Sequence, residues 1–386
     1  MKKKMLALMM SAVMITGMIT GCGSSSSENK STESAASGDT ITIGTSFPLT
    51  GSLAADGQLM VEAVQLAVDQ CNEAGGVNGK QVVIDSQDDE SSPTSATSIA
   101  NRFVEDDNVY GVITSYNSSC ALAQVPIFER AGLTAISPVA TSPDLTGISD
   151  YFFRTCVSDS YVGTLCANMC KNLGYKNIGV LYENDDYGYG LYTNFEKQAS
   201  ANGIKIGYAG NYVLNETKDF NSLLTSIKNA GCDAIFIAGF NSECVLVANQ
   251  KEALGMGDIP IVGGDGIYSP ELISEGGSAV EGVYTLGAFV DTNPDQKVQD
   301  FISAYKDAYG TVPGNWAALA YDATNVLLEA MKSCGDDLTR ENINNAVKNI
   351  DYVGVTGENK FVDGDVEKEY LTLQVQNGQF VVVDNN

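Results

Sequence analysis

The stretch "GYKNIGVLYENDDYGYG", Gly174 to Gly190, decides how this chain is organised. Its centre, "IGVLY", is a short apolar run closed on the far side by Glu183, Asn184, Asp185 and Asp186. Such a run reads as a fully buried strand of a parallel sheet. A helix near 190–202 follows it. The stretch repeats a pattern that has already run once, so a second strand–helix series starts here.

Upstream lies the first series. "TITIGTSFPL" (40–49) is a strand, and "QLMVEAVQLAVDQCNEAGG" (58–76) is an amphipathic helix ending at Gly75-Gly76, a C-terminal stop signal. "KQVVIDSQDD", a helix near Thr94–Glu105, "YGVITS", a helix near Ser119–Ala131 and "LTAIS" continue the alternation. Downstream come "IKIGYAGNY", a helix near 219–230, "CDAIFIAGF", a helix near 242–254 and "IPIVGGDG". Long helices near 295–309, 315–333 and 339–350 follow. The end, "KEYLTLQVQNGQFVVV", sets Asn377-Gly378 between alternating strands, a hairpin signal. Strands alternating with helices predict an α/β protein with parallel sheets, in two successive doubly wound units.

The N-terminus reads as a targeting segment. Lys2, Lys3 and Lys4 precede a nearly uncharged run from Met5 to Thr20, too short to span a bilayer and ordered as in a secretory signal. It ends in "ITGC", Ile19 to Cys22, which resembles the bacterial lipoprotein box, where the signal is cut before a Cys that is then lipidated. The resemblance implies residues 1–22 as signal and lipidated Cys22, with the protein held on the outer face of the bacterial cell membrane. Two or more acyl chains give a stable anchor. Residues 23–38, with seven Ser and no large apolar side chain, read as a flexible tether of roughly 20–25 Å reach. The 348 residues that remain suit two domains.

Charge and composition exclude several classes. The whole chain carries 22 basic and 48 acidic residues; without the three signal lysines, 19 stand against 48, a net of −29. Nucleic acid is therefore not an expected partner. Nine Cys and no His leave no CxxC pair and no His-dependent triad or zinc centre. No metal and no cofactor is expected. The eight Cys after Cys22 read mostly as small apolar core residues, though disulfides remain open outside the cell. A hydrolase would need paired carboxylates or a nucleophile with its base, and nothing marks one.

Ligands of such sheets sit beyond the carboxyl ends of the strands. The first series ends its strands in "PLTGSLAADG" (48–57), "YNSSCA" (116–121) and "PVATSP" (138–143), rich in hydroxyls and Gly. The second ends in "ENDDYGYG" (183–190), "FNSE" (240–243) and "GDGIY" (264–268), with aromatics and carboxylates. Two complementary faces predict a cleft that closes on a small polar molecule.

With "IGTSFPLTGSLAADG", "AVDQCNEAGGVNGK" followed by "DSQDDESSP", "LTAISPVAT", "YFFRT", "NDDYGYG", "WAALAYDA" and "VDGDVEKEY", in that order, the chain resembles the solute-binding proteins of ABC importers, in the leucine/isoleucine/valine branch of the type I periplasmic binding fold. The resemblance runs from about Ile41 to the end. It implies two lobes joined by a three-segment hinge: 39–157 with 287–351, and 158–286 with 352–386. It implies a non-enzymatic monomer that captures an amino acid, branched-chain or another small aliphatic one, and delivers it to a permease with its ATPase. A lipid-anchored sensor of an amino acid or small carboxylate is the alternative.

Residue by residue, the resemblance implies that Ser118 and Thr141, with the helix start at Ser119, hold the α-carboxylate. The carbonyls of Val139 and Ala140 accept from the ammonium, and Asp265 offers it a carboxylate. Tyr187 and Phe240 occupy aromatic positions. The family often has an aromatic where this chain has Asp56, and its known members have Glu where this chain has Asp265. The disulfide of the type member would fall at Ser91 and Asn117, so it is absent. Ordinary readings stand beside these. Ser118 and Thr141 also suit caps and turns, Asp265 turn chemistry, and Asp56 either a solvated helix cap or a specificity residue. Asp185 and Asp186 read as a solvated helix start, and Trp316 as packing.

Overall fold

The computed structural model describes residues 40–383; the signal, Cys22 and the tether lie outside them. The chain opens with β1 (Ile41–Phe47), α1 (Ala54–Glu73), β2 (Val82–Asp88), α2 (Pro93–Glu105), β3 (Val109–Thr114), α3 (Ser118–Ala131), β4 (Ala135–Ser137) and β5 (Phe152–Arg154). These five strands form one parallel sheet in the order β2-β1-β3-β4-β5. The second series follows as α4 (Asp159–Asn172), β6 (Asn177–Glu183), α5 (Asp186–Ala201), β7 (Lys205–Tyr212), α6 (Asn221–Asn229), β8 (Ala234–Ala238), α7 (Asn241–Ala253), β9 (Ile261–Gly263), α8 (Pro270–Gly276) and β10 (Tyr284–Gly287).

After β10 the chain returns to the first sheet. Helices α9 (Gln296–Tyr309) and α10 (Asn315–Ser333) pack on α1, α10 also on β3 and β4, and α11 (Arg340–Lys348) on β3. Two small hairpins, β11 (Tyr352–Gly354) with β12 (Gly357–Asn359) and β13 (Phe361–Val362) with β14 (Asp365–Val366), lead back out. Strands β15 (Leu371–Gln376) and β16 (Gln379–Val382) then complete a second sheet of order β16-β15-β10-β9-β8-β6-β7. Its two C-terminal strands are antiparallel. Asn377 and Gly378 turn that hairpin with φ of 54° and 69°, the left-handed pair that Asn-Gly adopts at low cost. The chain therefore passes between the sheets three times: before α4, after β10 and after α11.

The local reading of strand and helix holds along most of the chain. Helix α1 starts at Ala54 rather than at Gln58, because the Gly57 amide already bonds back to the Leu53 carbonyl at 2.9 Å. That places Asp56 inside the first turn. Strands β5 and β10 span three and four residues, too short to show a period. Among the described residues all eight Cys are free thiols, seven of them buried. No described helix is long and apolar enough to cross a membrane.

Candidate functional site

The carboxyl ends of both sheets face a common narrow cavity of about 10 Å³, the room of roughly one water. Tyr116, Val139 and Thr141 reach it from loops after β3 and β4. Tyr187, Phe240, Asp265 and Gly266 reach it from loops after β6, β8 and β9, and Trp316 from the start of α10. Gly266 is required by close approach. A Cβ there would stand 2.3 Å from the Tyr187 hydroxyl and 2.7 Å from the Gly239 carbonyl.

On one side the site presents a helix start without a side-chain cap. Asn117 is the N-cap of α3, but its side chain accepts no capping hydrogen bond. The first amides of a helix have no acceptor within it, so this end attracts an anion. Ser118 Oγ accepts from the Ser142 amide at 3.1 Å, which fixes its place and leaves its own proton to give. Ser137 Oγ accepts from the Val139 and Ala140 amides at 3.3 and 2.9 Å and shapes the following loop. Pro138, with no amide proton, ends β4 there.

That loop is wired to the rest of the molecule by Arg154, whose side chain is fully buried. Its Nη1 donates to the carbonyls of Ala140 and Ser142 at 3.2 and 2.8 Å, and Nε and Nη2 hold Asp365 at 2.6 and 2.9 Å. The Ala140 carbonyl is therefore turned to Arg154. Val139 and Thr141 line the cavity; Ala140, Ser118 and Ser119 are not among its lining residues, and Ser118 opens the helix beside it.

The other side presents carboxylates. Asp265, 1% exposed, has no hydrogen-bond partner on either oxygen, and the Tyr370 hydroxyl faces it without closing a bond. Burial pushes the Asp265 carboxyl up to about 7. Asp159, the first residue of α4, was not singled out from the sequence. Thr141 Oγ1 donates to its Oδ2 at 2.9 Å, and its Oδ1 is buried without a partner. Burial, reinforced by the nearby Asp265, holds Asp159 well above the usual carboxylate range, with Arg154 opposing. The hydroxyl of Tyr187 and the Nε1 of Trp316 are also buried and unpartnered. Among the described residues no basic side chain lines the cavity, so its carboxylates call for a cation from outside.

Rings form the remaining wall. Tyr116 lies 5.4 Å from Phe240 and 5.9 Å from Trp316, and Tyr187 lies 5.0 Å from Phe240, centroid to centroid. Trp316, read as packing, stands in the wall itself. Asp185 caps α5 by accepting from the Gly188 amide at 2.8 Å, as a helix-start residue should. Asp56 does not line the cavity and is not a solvated cap: it is 2% exposed, one of its oxygens lies 2.7 Å from Ser269 Oγ, and the other accepts from the Tyr116 hydroxyl at 3.1 Å. The early start of α1 rotates it inward. Tyr116 sits in a strand-end stretch already marked in the sequence, and Asp159 is a helix-start Asp; neither signal reveals the partner each one finds.

The chain matches the family described as periplasmic binding protein over residues 40–379. It is 31% identical over 305 residues to Leu/Ile/Val-binding protein homolog 1 of Brucella suis, covering 78% of this chain and 80% of that one. It is 30% identical over 301 residues to a leucine-, isoleucine-, valine-, threonine- and alanine-binding protein of Pseudomonas aeruginosa, covering 77% and 79%. The structure aligns with the branched-chain amino acid transporter substrate-binding protein LivJ of Streptococcus pneumoniae, solved with isoleucine, at a TM-score of 0.82 and 31% identity, over 89% of this chain and 98% of that one.

Proposed function

This chain belongs to the periplasmic binding protein family, in its leucine/isoleucine/valine branch, and from that premise we propose that it is the extracytoplasmic substrate-binding component of an ABC importer. Its cargo is an α-amino acid with an aliphatic side chain, branched or small. The observation that carries this reading is the pairing of an uncapped helix start at Ser118 with three buried, unpartnered carboxylate oxygens on Asp159 and Asp265. A zwitterion satisfies both ends at once.

The division of labour follows from proton counting. Thr141 has one hydroxyl proton and directs it to Asp159. Its oxygen is then an acceptor for the ligand ammonium, together with Asp159 Oδ1 and Asp265. The α-carboxylate takes the Ser118 hydroxyl proton and the amides at the start of α3. The ligand side chain lies against Tyr116, Phe240 and Trp316. The two sheets act as lobes turning on the three crossing segments, and closure removes water from both charges.

Cys22 carries the lipid anchor in this reading, the Ser-rich tether gives the domains room to reach a permease, and the protein works as a monomer. Calorimetry with L-leucine, L-isoleucine and L-valine, and with 4-methyl-2-oxopentanoate as the keto acid of leucine, tests the core of it. At least one of the three amino acids binds tightly and the keto acid poorly. Equal binding of the keto acid and leucine would remove the ammonium from the account.

A further inference from the structure

Ser269, the residue before α8, places one hydroxyl between two carboxylates. Its Oγ lies 2.7 Å from Asp56 Oδ1 and also makes a short hydrogen bond with Glu271 Oε2. A hydroxyl has one proton to give and otherwise accepts. It donates to one of the two carboxylates, and its contact with the other needs a proton on that carboxyl. Asp56 is the buried member, while Glu271 is half-buried. Its second oxygen already accepts from the Tyr116 hydroxyl at 3.1 Å. Asp56 belongs to α1, on the first sheet, and Ser269 follows β9 of the second, so the contact spans the cleft.

We propose that Asp56 is a protonated latch across the cleft, and that closure takes up one proton at this carboxyl. Asp56–OH donates to Ser269 Oγ, Ser269 donates to Glu271, and the proton comes from solvent. The inference rests on the reading above that the two sides separate when the cleft opens. Asp56 is then a positioning residue. It touches no ligand, but it fixes Tyr116, whose ring is part of the cavity wall.

The electrostatics run the same way. Burial pushes Asp56 up to about 7, Glu271 and Glu275 add to the rise, and the hydrogen bonds from Ser269 and Tyr116 oppose it. These are the groups that face it from α8 and from the end of β3, and the charge of Asp265 reaches the Tyr116 hydroxyl. Opened to water, Asp56 returns towards its ordinary value of 3.8. Closure therefore binds a proton between those two values. Affinity falls as pH rises through that interval, by up to about tenfold per unit, and levels off on either side. Asp159, Asp185 and Asp265 titrate in the same cleft, so the wild-type profile alone does not isolate Asp56. Asp56→Asn does, because its amide donates to Ser269 and its oxygen accepts from Tyr116 with no proton taken up.

The first test needs no ligand. The Ser52 amide meets Asn215 Oδ1 at 3.3 Å across the same seam. Ser52→Cys with Asn215→Cys, joined by a short bifunctional thiol reagent in a Cys334→Ser background, holds the cleft shut. Carbon-13 carboxyl resonances, with Asp56 assigned by its loss in Asp56→Asn, should show Asp56 neutral at pH 6 in the joined protein and ionised in the unjoined one. An ionised Asp56 in the joined protein, or a neutral one in both, would overturn the latch. The second test is calorimetry with L-leucine at pH 6 in buffers of different ionisation heat. Wild type should take up nearly one proton more than Asp56→Asn, and equal counts would also overturn it. If leucine, isoleucine and valine all fail to bind, the proposed cargo is wrong and the joined protein still decides the latch.

Discussion

Thr141 and Asp159 hold each other twice: the Thr141 hydroxyl donates to Asp159 Oδ2 at 2.9 Å, and the Asp159 amide donates to the Thr141 carbonyl at 2.9 Å. The pair joins the loop after the first sheet's β4 to the first helix of the second series. It leaves Asp159 Oδ1 buried and unpartnered beside Asp265. A buried carboxylate, the crossing between the two sheets and the loop geometry therefore meet at one contact.

Removing either carboxylate should cost the ammonium its partner. Breaking a buried charge pair from one side costs about 3–5 kcal/mol, or roughly two to three and a half decades in Kd. Asp265→Asn and Asp159→Asn should each weaken L-leucine binding by at least about a hundredfold, read by calorimetry. Binding of the keto acid should change little. A substitution that weakens both ligands equally would point to damaged structure instead.

Ser118→Ala removes the hydroxyl donor at the helix start. A hydrogen bond to a charged group contributes about 1.5–3 kcal/mol, so Kd should rise roughly ten- to a hundredfold. Ser119, half-buried and not among the cavity's lining residues, serves as the comparison. Ser119→Ala should leave affinity within about threefold, since substitutions away from packed contacts and hydrogen-bond networks shift free energy by roughly 0.5 kcal/mol. Equal losses at the two positions would move the carboxylate site along the helix.

Arg154→Met should act on stability and binding together. The guanidinium is fully buried, and its loss leaves Asp365 with only the Thr146 hydroxyl, the Ala140 carbonyl with only the Cys156 thiol and the Ser142 carbonyl with only the Leu145 amide. A loss of about 3–5 kcal/mol is expected in denaturant unfolding. Leucine affinity should drop as well, because the loop bearing Val139 and Thr141 loses its anchor. Unchanged unfolding with intact binding would show that the loop holds itself.

The Asp265 carboxyl predicts a direction for pH. Burial raises it to about 7 from an ordinary 3.8, so the closed fold keeps a proton that the unfolded chain releases. The stability this contributes is fully present below the ordinary value and is lost as pH rises towards 7, on the order of 4 kcal/mol in all. A ligand ammonium supplies the missing cation. Leucine should therefore raise the melting temperature more at pH 7.5 than at pH 5, and Asp265→Asn should remove most of that difference. An equal rise at both pH values in wild type would contradict it.

Cys22→Ser should move the protein from the membrane fraction to a soluble fraction or the medium. The expectation comes from "ITGC" at the end of the N-terminal apolar run. Membrane association that survives the substitution would remove the lipid anchor.

The sequence by itself determined the α/β alternation, the Asn377-Gly378 hairpin and the strand ends around which the cavity forms. Those features are written in short windows, since a buried strand and an amphipathic helix each impose their own period on the residues they contain. Tyr187, Phe240, Thr141 and Asp265 lie two to four residues beyond such strands, and it was the family resemblance that picked them out there. Only the tertiary structure decided which groups meet. Asp56 and Ser269 are 213 residues apart and Arg154 and Asp365 are 211 apart, and no local pattern ties either pair together. The same holds for Asp159, which reads locally as one more acidic residue at a helix start. Its contact with Thr141 exists because the chain crosses from one sheet to the other between them. Burial at that crossing strips water from a carboxylate and leaves one oxygen without a partner, which turns a helix-start residue into part of the candidate site.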